Sequence, residues 1–66
     1  MKTNYLILLD YSCGEVIKIK LSEEEQQIAD QFENFEEFIY SIEEEYGFRL
    51  KDYCWMATET LVERSF

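Results

Sequence analysis

Carboxylates, phenols and two thiols are the side chains with which this sequence could do chemistry. Its 66 residues hold fifteen Asp and Glu, five Tyr, two Cys and no histidine. Paired carboxylates do general acid–base work only when burial drives their pKa values apart. Most of these acids fall instead on the polar side of a helical pattern, where they stay solvated. Without histidine the commonest general base and metal ligand is missing. A Ser or Cys nucleophile then has no base beside it. Cys13 falls in a turn and Cys54 in a strand pattern, and they form no CxxC pair. Two glycines are too few for a phosphate-cradling loop, and the spacing of a calcium loop is absent. The expectation is therefore a protein that is not an enzyme and takes no cofactor or metal.

What the acids do form is a pattern. Between Leu21 and Phe48 lie Glu23, Glu24, Glu25, Asp30, Glu33, Glu36, Glu37, Glu43, Glu44 and Glu45, with no Lys or Arg among them. This span carries −10, whereas the rest carries five acids against six bases, and the net charge is −9. A surface helix ordinarily mixes signs and gains from Glu–Lys pairs four residues apart. This span makes no such pair. On a helical wheel Tyr40 points away from the apolar stripe, and its neighbours three and four residues away are Glu36, Glu37, Glu43 and Glu44. Glu43 and Glu44 also sit at the end of the helix, where the macrodipole disfavours anions by about 0.3–1 kcal/mol each. An aromatic ring ringed by carboxylates suits a basic surface on a partner protein. The plain alternative is an acidic face that serves solubility.

The elements that must position these residues are readable. "NYLILL" at 4–9 is a continuous apolar run, the pattern of a central strand. "DYSCGE" is a turn in which Gly14 supplies the left-handed conformation. In "EVIKIKL" Ile17, Ile19 and Leu21 face one way and Val16, Lys18 and Lys20 the other, with the lysines suited to a sheet edge. Ser22 and Glu25 form a capping box that starts a first helix, with Ile28, Ala29 and Phe32 as its buried candidates. Asn34 starts a second helix. Its stripe is Phe35, Phe38, Ile39, Ile42 and Tyr46, and Gly47 ends it. "DYCWMATET" at 52–60 has strand character. Thr58 could instead cap a short helix, which leaves 59–66 open between strand, helix and tail.

The expected fold is α+β: a small β-β-α-α-β arrangement, one domain over 1–66, with a three-stranded sheet of order 2-1-3 and both helices on one face. The uncovered sheet face is expected to carry Tyr5, Tyr53 and Trp55, and self-association through it into a homodimer is a further reading. Such an acidic chain should be repelled by nucleic-acid backbones and anionic membranes, so neither is an expected direct partner. An acidic helix can, however, imitate a nucleic-acid backbone and block a protein that binds one. The N-terminus lacks the length of apolar run that a signal peptide or a membrane span requires. Two thiols with nothing to favour pairing fit a reducing compartment, so the expected location is the cytoplasm.

Overall fold

The computed structural model describes residues 3–66. The first two strands, β1 (Tyr5–Asp10) and β2 (Glu15–Lys20), form an antiparallel hairpin in which Leu6 lies opposite Ile19 and Leu8 opposite Ile17. Residues 11–14 make the turn. Gly14 adopts φ 75°, and its amide donates to the Asp10 carbonyl at 2.9 Å. The Asp10 carboxylate fastens the turn by accepting from the Ser12 amide at 2.8 Å and the Ser12 hydroxyl at 2.6 Å.

The third strand, β3 (Cys54–Thr58), runs antiparallel to β1 on its other side, which gives the order β2-β1-β3. Two helices, α1 (Glu23–Ala29) and α2 (Phe35–Tyr46), cover one face, and a 3₁₀ turn at Leu50–Asp52 leads into β3. The architecture is thus the small α+β fold that the patterns predict.

Both helix starts are capped as the sequence indicates. The Ser22 hydroxyl accepts from the Glu25 amide, and the Glu25 carboxylate accepts from the Ser22 amide in return. The Asn34 side chain accepts from the Glu37 amide at 3.0 Å. Gly47 ends α2 in the left-handed region at φ 74°. Substituting such caps typically costs ~1 kcal/mol, so they matter in a chain this small.

Leu6, Leu8, Ile19, Leu21, Phe38, Ile39, Ile42, Phe48 and Leu50 form the core. Phe38 is fully buried and touches Phe35 and Phe32, with ring centroids 5.3 Å and 6.2 Å away. Full burial of such a side chain contributes about 1.5–3 kcal/mol.

Three expectations need correction. Ile28 is 44% exposed rather than buried, because α1 ends after two turns and only Ala29 and Phe32 reach the core. Trp55 and Tyr53 do not lie on the uncovered sheet face. Trp55 is opposite Leu8, so it points to the helix side, where its ring meets Phe35 at 5.7 Å. Tyr53 packs edge-on against Phe48 at 6.0 Å and belongs to the rim of the core.

The uncovered face carries Tyr5, Ile7, Leu9, Val16 and Met56, together with Lys18 and Lys20. The chain after β3 is neither strand nor helix. It runs back over this face, where Leu61 and Glu63 border a shallow groove of about 330 Å³ with Ile7, Val16, Lys18 and Met56. A Lys18–Glu63 ion pair at 2.8 Å pins it there.

Candidate functional site

The outer side of α2 exists because its inner side is apolar. Phe38, Ile39 and Ile42 fix the helix rotation against the sheet. That rotation sends Tyr40 outward, 49% exposed, and makes Glu36, Glu37 and Glu44 its exposed surface neighbours.

Glu43, the fourth member of the predicted ring, behaves differently. It is half-buried, and its Oε2 accepts from the Leu50 amide at 2.6 Å. A hydrogen bond to a charged group contributes about 1.5–3 kcal/mol, more than the ~0.3–1 kcal/mol cost of an anion at a helix C-terminus. Glu43 therefore ties the end of α2 to the 3₁₀ turn and is not available to a partner.

Glu25 is also occupied internally. It accepts from the Ser22 amide at 2.9 Å and, across to α2, from the Tyr46 hydroxyl at 2.6 Å. Partial burial pushes its carboxyl up, but these hydrogen bonds outweigh it and leave the pKa below the ordinary glutamate value. The same contact pushes the Tyr46 phenol up to about 12, because ionisation would set two anions against each other. Tyr46 was expected in the buried stripe; it sits at its edge, joining the two helices through its hydroxyl.

Among the described residues no cation pairs with the acidic span. Among the described residues the one ion pair is Lys18–Glu63, outside it. Arg49 and Lys51, close downstream of α2, make no ion pair with its last turn. Lys2, counted among the six bases, lies outside the described residues. Beside α1 the acidic surface continues into a wide, open groove of about 740 Å³ lined by Gln26, Asp30, Glu33, Asn34 and Phe35 among others.

The hairpin turn holds a grouping that sequence reading missed. Asp10, Cys13 and Glu15 bring one ligand atom each within 4.8 Å of one another. The Cys13 thiol donates to Asp10 Oδ2 at 3.3 Å, which pushes its pKa up and makes it a poorer thiolate. Tyr53 donates to Glu15 from across the sheet and is pushed up to about 12. Asp10 and Cys13 are occupied with each other in holding the turn, and Glu15 with Tyr53. Only the folded path of the turn brings Cys13 back over Asp10, and no spacing signal marks it.

No helix among the described residues is long and apolar enough to cross a membrane. Comparison of the chain with protein-family models, with curated proteins and with solved structures finds no match.

Proposed function

We propose that this chain is a non-catalytic binding module whose acidic helical face meets a basic surface on a partner protein in the cytoplasm. One observation carries the reading: the ten acids of the 21–48 span have no cationic partner among the described residues, while an unbonded, half-exposed tyrosine stands among three of them. Unpaired like charges repel one another and cost stability. An external basic surface relieves that repulsion, speeds encounter and makes binding salt-sensitive. Tyr40 supplies the aromatic anchor on which interface energy concentrates. The two exposed, unpaired thiols support a reducing compartment.

The test is capture on the immobilised protein from extract of its own cells. Proteins should be retained at about 0.1 M salt and released as the screening length shortens towards ~1 M. The triple variant Glu36→Lys, Tyr40→Ala, Glu44→Lys, with a circular dichroism spectrum like the parent, should lose them. Equal capture by that variant refutes the reading. Glu43 is left alone, because changing it would test the fold rather than the face.

Nucleic-acid mimicry is the narrower form of this reading. With Glu43 turned inward, Glu36, Glu37, Glu44 and Glu45 remain on a 12-residue helix. That is one charge per ~4.5 Å over ~18 Å, looser than the ~3.4 Å of a single DNA strand. Competition between DNA and this chain for a captured protein separates the two forms.

A further inference from the structure

The two edges of the sheet are not alike. Just before β1 the Asn4 amide crosses to the Thr58 carbonyl at 3.1 Å while its carbonyl accepts from the Leu21 amide, and from there the even-numbered residues of β1 turn their backbone groups towards β2, down to Asp10, whose carbonyl accepts from the Gly14 amide. Tyr5, Ile7 and Leu9 therefore bond to β3 through their register partners Thr58, Met56 and Cys54. The amides and carbonyls of Trp55 and Ala57 point away from the sheet, and no other backbone or side-chain hydrogen bond uses them among the described residues. The outer edge of β2 is guarded by Lys18 and Lys20, a common protection against strand pairing. The β3 edge has no such guard: Tyr53–Thr58 is a run without charge in a chain where 32% of residues are charged.

We propose that this edge pairs with the same edge of a second copy, β3 against β3, antiparallel about a two-fold axis at Met56. The register is self-complementary. Trp55 lies opposite Ala57 of the second copy and Ala57 opposite its Trp55, so each pair exchanges both backbone bonds, four in all. A large ring then sits beside a small methyl on the helix side, where Trp55 is still 38% exposed. On the other side Met56, 50% exposed, meets its own counterpart. Shifting the register by one residue pairs an outward-pointing residue with an inward-pointing one and loses these bonds. Charge favours the same place: isologous pairing sets a patch against its own copy, and this one carries no like charge to repel.

Size makes the association weak. Five residues span ~17 Å, and with side chains on both faces the edge covers roughly 250 Å² per copy. A standard interface covers about 800 Å² per partner. Salt should strengthen the dimer, because screening weakens the repulsion between two acidic helical layers.

Sedimentation should show the 8.0 kDa monomer giving way to a particle of twice that mass as concentration rises. The useful range is about 10 µM to 1 mM, in which such small interfaces populate. The shift should come several-fold earlier at about 0.5 M than at 0.05 M NaCl. Amide exchange at Trp55 and Ala57 should slow with concentration, while exchange at Val16 and Lys18 on the opposite edge should not. Met56→Lys, which sets two ammonium groups face to face, should shift dimerisation to several-fold higher concentration. A protein that stays monomeric at ~1 mM in high salt overturns the proposal. So does one that associates with Trp55 and Ala57 exchanging as freely as in the monomer, whatever the variant does. The proposal is independent of the acidic face, so either can fail alone.

Discussion

Glu43 and Glu44 are neighbours in the last turn of α2, yet replacing each by alanine should move stability in opposite directions. Both substitutions remove an anion from the negative end of the helix dipole, worth about 0.3–1 kcal/mol. Both also gain a few tenths of a kcal/mol in helix propensity. Only Glu43→Ala loses the 2.6 Å hydrogen bond to the Leu50 amide, and Leu50 is a buried core residue. The shared terms cancel in the comparison, so the two variants should differ by the worth of that bond, about 1.5–3 kcal/mol. Thermal melts followed by circular dichroism should then separate by roughly 6–24 °C at the 4–8 °C per kcal/mol of a domain this size. Glu44→Ala should melt above the parent and Glu43→Ala below it. High salt should shrink the gain in Glu44→Ala, because the dipole contribution is screened, and leave the gap largely in place. Amide exchange at Leu50 should quicken in Glu43→Ala alone. If the two variants melt within a degree or two of each other, the carboxylate of Glu43 is not what holds the 3₁₀ turn.

Tyr46 and Tyr53 should ionise late. With both phenols raised to about 12 in the folded state, the stability they provide is intact below the unfolded value near 10 and is lost as pH rises from there through 12. Ultraviolet titration of tyrosinate should show these two lagging, and Tyr46→Phe with Tyr53→Phe should remove the lag. At the acid end Glu25 acts with the opposite sign: its lowered carboxyl contributes above the ordinary glutamate value of 4.5 and loses that contribution as pH falls through the lower, folded value. Ser22→Ala and Tyr46→Phe should each flatten the acid limb of a stability–pH curve measured by urea melts. Phe38→Ala should cost about 3–5 kcal/mol. A chain of this length has only ~3–10 kcal/mol in total, so a cooperative melt at 25 °C should be lost or nearly so.

The parts of the fold that were legible are those in which one local rule decides the outcome. Gly14 and Gly47 occupy the positive-φ positions that their flanking patterns require, and Ser22 and Asn34 cap where an oxygen stands three residues before a glutamate. The lysine alternation in β2 exposes its parity directly. β3 offers no such alternation: Tyr53 to Thr58 is uniformly uncharged, so its two faces look alike in the sequence. Its parity is set by the 3₁₀ turn just before it, and that turn is held by Glu43 from seven residues away. This is why Trp55 and Tyr53 fell on the unexpected side, and why Glu43 looked like a member of the acidic ring. Tyr40 and the exposed Glu36, Glu37 and Glu44 followed from helical periodicity alone. The return of Leu61 and Glu63 over the sheet brings together residues 45 apart in an ion pair, which no local pattern encodes.

The folded chain divides its surface by charge in a way that the sequence order foreshadows. The helical layer holds the uncompensated acids, the opposite sheet face holds Lys18 and Lys20 around an aliphatic strip, and the β3 edge between them has no charge at all. A sheet with all its helices on one face must separate its surfaces like this, because one side of every strand is claimed by the core. What is not required is that the 21–48 span that forms the helices hold no Lys or Arg. Mixing in even two lysines at i+4 positions would have gained a few tenths of a kcal/mol each. In a domain with stability of only several kcal/mol, the proposed binding role accounts for that forgone gain, whereas interspersed charges would serve solubility equally well.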